Sequence, residues 1–274
     1  ESEGYDRQHM HLPECQNKLI AEIAKVQPNT IVVLHNGAAV EMPWVNEVKG
    51  LVEAYLGGQA VGQAIVNILY GMVNPSGKLA ETFPIKLEDN PSYLNFGDGD
   101  KVEYNEGVFV GYRYYDKKKM DVAFPFGYGL SYTTFEYSNI KTDKETLTEG
   151  DTLQVSVDVT NTGDRYGKEI VQLYVADKTE AVRRPEKELK GFEKVALNPG
   201  ETKTVTFTLD KRSFAWYNTD IHDWYAASGA YEIMIAASSR EICLTKTIQW
   251  ESTQVLPLHL HLNTTLGELM NEEK

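Results

Sequence analysis

Cysteine is scarce: Cys15 and Cys243 are the only two in 274 residues. Two thiols so far apart make neither a disulfide framework nor a thiolate metal site, and the pattern suits a reducing cytoplasm. Positive charge is short as well. The net charge is −13 and the pI about 5.0, which leaves no electrostatic footprint for nucleic acid. The one compact basic run, residues 117–119, reads as a solvated turn. No apolar run approaches the ~18 residues that a membrane-crossing helix needs, so no membrane partner is expected. The chain opens Glu1-Ser2-Glu3-Gly4-Tyr5-Asp6-Arg7, with neither a methionine nor an apolar leader core, and the expectation is a piece of a longer protein.

What is present is ordinary globular material. Hydrophobic residues make up 42% and charged residues 24%, and the length allows two domains with a core each. Leu19, Ile20, Ile23 and Ala24 recur at helical spacing after Pro13, and the run Thr30-Ile31-Val32-Val33-Leu34 reads as a buried parallel strand. A helical turn is expected at 43–48, a second strand at 51–56, a helix at 59–70 and a third extended segment at 78–83. Strand and helix alternate, so this part is α/β. Residues 87–100 are polar, rich in turn formers and without period, which predicts a surface loop.

From Phe135 onward the apolar period is two. Leu153, Val155, Val157 and Val159 alternate with polar residues, as do Val171, Leu173 and Val175, then Val205, Phe207 and Leu209, then Tyr231, Ile233 and Ile235. Short strands separated by turns predict a β-sandwich. Thr265 to Glu268 has the spacing of a capping box for a final helical turn. Between the two parts, residues 104–135 concentrate aromatics and glycines, among them Tyr112, Phe124, Phe126 and Tyr132. Aromatic side chains carry a large apolar area and, in tyrosine, a polar tip, and the pattern predicts a packed junction that these four share.

Most local motifs fail on chemistry. Gly71 to Lys78 looks like a phosphate loop, but five residues separate its glycines and Leu79 stands where a magnesium-binding hydroxyl belongs. It is expected to be a structural turn. Gly127-Tyr128-Gly129 lacks the third glycine of a dinucleotide loop. His9 with His11, and His259 with His261, have two-residue spacing but nothing in sequence completes a zinc site. No metal and no nucleotide cofactor is expected.

A series of blocks in order does carry a message: Ser2-Glu3-Gly4-Tyr5-Asp6-Arg7, Met42-Pro43-Trp44, Gly57-Gly58-Gln59, Asn74-Pro75-Ser76-Gly77-Lys78-Leu79, Thr82-Phe83-Pro84, Glu106-Gly107-Val108-Phe109-Val110-Gly111-Tyr112-Arg113-Tyr114-Tyr115-Asp116 and Phe124-Pro125-Phe126-Gly127-Tyr128-Gly129. With Asn161-Thr162-Gly163 and Asn198-Pro199-Gly200, they resemble the C-terminal portion of glycoside hydrolase family 3 β-glucosidases. The resemblance implies a partial α/β sandwich domain over 1–132, a fibronectin type III-like β-sandwich over 133–250 and a tail over 251–274. It also implies a retaining mechanism on β-glucoside or oligosaccharide substrates. By likeness to related bacterial enzymes, Glu3 is the acid/base, with Asp6 and Arg7 bracing its loop. The nucleophilic Asp belongs to a (β/α) barrel that is absent from these residues. A rival expectation is a non-catalytic module that binds carbohydrate or serves as scaffold.

Overall fold

The computed structural model describes residues 4–5, 7–97, 100–257 and 264–265. His259 and His261 lie outside them, as does Glu268 of the expected capping box. Pro13 stands just before helix α1 (Glu14–Val26), where a missing N–H leaves no hydrogen bond unmade. Glu14 in the first turn and Lys25 in the last complement the helix dipole. Strand β1 (Ile31–Leu34) pairs in parallel with β2 (Gly50–Glu53), Ile31 opposite Gly50. Helix α2 (Val61–Leu69) follows. Val32 and Leu34 meet Met10, Val40, Met42, Trp44 and Phe83 in a small core, and Trp44 Nε1 donates to Asn17 Oδ1 at 2.8 Å. Neither α1 nor α2 buries a residue fully.

The third strand expected at 78–83 does not join this sheet. Leu79 N donates to Tyr128 O and Phe83 N to Phe124 O, both at 2.8 Å, so the segment runs antiparallel to the aromatic stretch. Pro84 and Pro125 cannot donate, and the ladder stays interrupted. Within the aromatic stretch a short helix α3 (Tyr112–Lys117) begins after Gly111, whose φ is +57°. It has no apolar stripe and was not expected.

The rest is the β-sandwich that the alternation predicts. Its strands are β3 (Phe135–Thr142), β4 (Thr146–Leu147), β5 (Leu153–Asn161), β6 (Gly167–Asp177), β7 (Glu188–Leu197), β8 (Thr202–Leu209), β11 (Gly229–Ala236) and β12 (Ile242–Trp250), with a small hairpin of β9 (Trp216–Asn218) and β10 (Asp223–Tyr225) between β8 and β11. One sheet has the order β4-β12-β11-β6-β7 and the other β3-β5-β8. Val155, Val157, Leu173, Ile233, Ile235 and Trp250 lie at the shared core. Asn161 is buried there with its polar atoms in use: it accepts from Thr133 Oγ1 at 2.6 Å and donates to the carbonyls of Arg165 and Leu197. Buried amides persist in folded proteins on that condition.

Strand β6 is buried on both faces. Val171, Leu173 and Val175 enter the sandwich core, while Gln172, Tyr174 and Ala176 are covered as well. The cover is the aromatic stretch. Tyr174 Oη donates to Gln172 Oε1 at 2.6 Å, and Gln172 Nε2 donates to the carbonyls of Gly127 and Ala237. Gly127 has φ +78°, and a Cβ there would sit 2.2 Å from Gln172 Oε1, so only glycine fits. Tyr112 stacks on Phe126 at 4.8 Å and meets Tyr174 edge-on at 5.9 Å. Of the four aromatics expected to share the junction, these two do. Phe124 belongs instead to the α/β core, edge-on to Phe83, and Tyr132 is 43% exposed, with its hydroxyl on the Ile68 carbonyl. Aromatic density alone could not tell a ring between domains from a ring within one.

The turn at 74–78 is structural. Asn74 Oδ1 accepts from Ser131 Oγ and Tyr132 N, its Nδ2 donates to Tyr166 O, and Lys78 pairs with buried Glu169 at 3.0 Å. At the far end of the sandwich, Glu149 accepts from Thr253 N, Thr253 Oγ1 and Ser252 Oγ. Partial burial pulls its pKa upward, but these hydrogen bonds win and hold it at about 2.

Two outcomes follow. Tyr174→Phe keeps the ring but strips buried Gln172 Oε1 of its donor. It should cost about 1–3 kcal/mol in urea denaturation with an unchanged m-value, and a cost below about 0.3 kcal/mol would show that the junction does not need this bond. Glu149 has a folded pKa below its ordinary 4.5, so its contribution is complete above that value and drains as pH falls toward 2. Glu149→Gln should therefore melt below the parent at pH 7, with the gap closing between about pH 5 and pH 2; a gap independent of pH in thermal melts would refute the clamp.

Candidate active site

A cleft of about 430 Å³ opens where the α/β part meets the aromatic stretch. One wall is the extended segment that begins at Arg7. Met10 is buried and anchors it, Glu41 N donates to Met10 O at 2.9 Å, and Arg7 Nη2 donates to Ala39 O at 2.9 Å. Ala38 and Ala39 follow the carboxyl end of β1, where parallel sheets open their crevices. Glu106, Val110, Gly111, Tyr112, Tyr115 and Phe126 form another part of the lining, and Glu81 and Thr82 contribute as well.

The wall is braced from behind. Glu41 takes His11 Nδ1 on one oxygen at 3.1 Å and Leu87 N on the other at 3.2 Å, linking the first wall to the loop at 87–91. Tyr115 is buried, and that burial, with Asp89 nearby, pushes its hydroxyl up to about 12; it stays a donor at any physiological pH. Thr82 is buried, and its hydroxyl has no hydrogen-bond partner among the described residues. At the end of β2, burial raises the pKa of Glu53, whose Oε1 accepts from Tyr55 N at 2.9 Å.

Glu3, the acid/base that the resemblance implies, lies outside the described residues, and so does Asp6, the expected partner of Arg7. The structure does show where the segment downstream of Glu3 goes: Arg7, His9 and Met10 line the cleft. His9 and His11 have ring centroids 5.3 Å apart, but among the described residues no group of three His, Cys, Asp or Glu could hold a metal. No helix among them is long and apolar enough to cross a membrane. Glu81, Thr82, Glu106, Tyr112 and Tyr115 were not picked out by sequence as cleft residues. They come from three separate segments; all but Glu81 sit in blocks that carry the resemblance, yet nothing in those blocks marks them as lining one cleft.

Chemically the cleft combines aromatic faces (Tyr112, Phe126) with carboxylates (Glu81, Glu106), a guanidinium (Arg7) and hydroxyls (Thr82, Tyr115). Apolar walls with a few convergent polar groups orient small ligands, and this mixture suits a polyhydroxylated one.

Comparison with known proteins agrees with that chemistry. Residues 1–132 match the glycosyl hydrolase family 3 C-terminal domain, and residues 169–239 a fibronectin type III-like domain. The chain is 59% identical over 273 residues to thermostable β-glucosidase B of Acetivibrio thermocellus, spanning 99% of this chain and 36% of that protein. It superposes on the family 3 β-glucosidase of Bifidobacterium adolescentis with a TM-score of 0.90 at 42% identity, covering 97% of this chain and 39% of that one. On the β-glucosidase of Kluyveromyces marxianus in complex with glucose the TM-score is 0.86 at 46% identity, covering 91% and 30%. These relatives come from bacteria and from a fungus, so the shared blocks do not fix a bacterial source. The chain spans a third or so of the length of the proteins it matches. It belongs to glycosyl hydrolase family 3, of which it carries the C-terminal α/β domain joined to a fibronectin type III-like β-sandwich.

Proposed function

We propose that this chain supplies the acid/base side of a retaining β-glucosidase that removes terminal, non-reducing β-D-glucosyl residues, with Glu3 as the acid/base and the nucleophile on a (β/α) barrel outside these residues. The proposed setting is a reducing cytoplasm, in keeping with the free thiols of Cys15 and Cys243. The observation that carries the proposal is the course of the segment after Glu3, which runs directly into a polar and aromatic cleft and is pinned there through Arg7. The β-glucosidases that it resembles support the substrate class.

Retention requires two carboxyl groups about 5–5.5 Å apart, one attacking and one exchanging a proton. The acid must hold its proton near working pH, which burial or a negative neighbour achieves. Glu81 and Glu106 line the cleft, and a carboxyl brought among them would favour its neutral form. In the first step that proton goes to the departing glycosidic oxygen. In the second the same group, now a carboxylate, takes a proton from the attacking water.

The test is Glu3→Ala in the full-length enzyme. Turnover of substrates with poor leaving groups should fall by about 10²–10⁴-fold. A dinitrophenyl glucoside needs little protonation, so its first step should be spared and the glycosyl-enzyme should accumulate. Azide needs no general base and should restore turnover, yielding β-glucosyl azide. Uniform loss on all substrates without azide rescue would return Glu3 to a bracing role and favour a module that only binds or supports.

A further inference from the structure

We infer that Arg183, on the β-sandwich loop that joins β6 to β7, is a positioning residue for the cleft: it latches the arch at 107–111 that forms part of the cleft wall. The inference rests on the proposal above only in taking the cleft as the place of reaction.

The arch is built to hinge. Gly107 and Gly111 bracket it with φ of +55° and +57°, in the left-handed region. Between them Val108 and Val110 are more than half exposed, so neither fastens the arch. Phe109 is the half-buried residue of the three, and the Arg183 guanidinium lies 5.2 Å from the centre of its ring. A cation over an aromatic face within about 6 Å is attracted by the ring quadrupole. The arch carries Val110 and Gly111 into the cleft and adjoins Glu106 and Tyr112 on either side. Moving Phe109 therefore moves the wall.

The base of the latch is fixed. Next to Arg183, Arg184 is nearly enclosed and pairs with Asp177 at 3.2 Å and Glu188 at 2.6 Å. Lys187 pairs with the largely covered carboxylate of Asp116 at 2.8 Å, and Glu186 with Lys117 at 2.9 Å. Leu189 N donates to Tyr112 Oη at 2.8 Å. Residues 184–189 are thus tied both to the sandwich and to α3, and Arg183 reaches the arch from an anchored position. Arg183 is not among the residues that line the cleft, so it acts on the wall through Phe109.

Two measurements test this. In the 274-residue chain, the amides of Gly107 and Phe109 are held by the carbonyls of Tyr104 and Glu106. Arg183→Ala should speed their hydrogen exchange about 2–5-fold, the size of an exposed cation–aromatic contact. Exchange at Leu189 and Ser239 in the junction should stay as in the parent, and Arg183→Lys should recover most of the protection. In the full-length enzyme, Arg183→Ala should raise KM for an aryl β-glucoside by about 2–5-fold with kcat nearly unchanged, as loss of uniform binding does. Unchanged exchange at Phe109 would overturn the latch whatever the kinetics. Faster exchange with an unchanged KM would overturn the positioning role while leaving Glu3 as proposed. Absence of glucosidase turnover in the parent enzyme would instead overturn the proposed function and leave the latch standing on exchange alone.

Discussion

Gln172 is the hinge on which the two halves depend. A polar side chain on the outer face of a sandwich strand normally meets water, yet here the carboxamide is enclosed and all its hydrogen bonding is spent on Tyr174, Gly127 and Ala237. An unpaired amide in that place would cost more than the bonds contribute when made. The two domains therefore cannot slide past each other without leaving polar groups stranded. Rigid docking explains why Phe126, whose carbonyl accepts from Ser239 N at 2.9 Å, can serve the junction and the cleft at once. Around this centre lies a seam of ion pairs. Glu188 shows their strength: burial would raise its carboxyl pKa, but Lys190 and Arg184 overcome that and lower it.

Much of the sandwich could be read directly from its sequence. β5 buries every second residue from Leu153 to Asn161, and a period of two survives any neighbour. β7 escaped notice because its first residues face the charged seam and show no alternation. α3 is six residues of aromatic and charged side chains with no stripe to detect, and β9 and β10 are three residues each. β6 was legible as a strand, but not as one covered on both faces, since Gln172 and Tyr174 look like outward residues until a second domain is laid on them.

The cleft was less legible than the fold, for a related reason. Its residues come from the segments at 7–10, 38–39, 80–84, 87–91 and 106–115 and from Phe126. No local rule of spacing joins these, because tertiary packing brings them together. Glu106 is a lone acidic residue before a glycine, and Thr82 an ordinary threonine before Phe83. Glu3 could be proposed only because a run of neighbours carries the family resemblance; no spacing or periodicity singles it out.

The uneven burial of the two halves has a consequence for how the cleft breathes. The sandwich side rests on a large continuous core, whereas the α/β side has a two-stranded sheet and two helices with no fully buried residue. Local opening is easiest where buried apolar contact is sparse. Tyr112 and Phe126 are fastened to the sandwich through Tyr174 and Ser239, whereas Met10 packs in the smaller α/β core. The cost of opening is thus uneven: parting Met10 from its small core disturbs less buried apolar contact than lifting Tyr112 and Phe126 from the sandwich, which makes the aromatic face the steadier surface for reading a ligand.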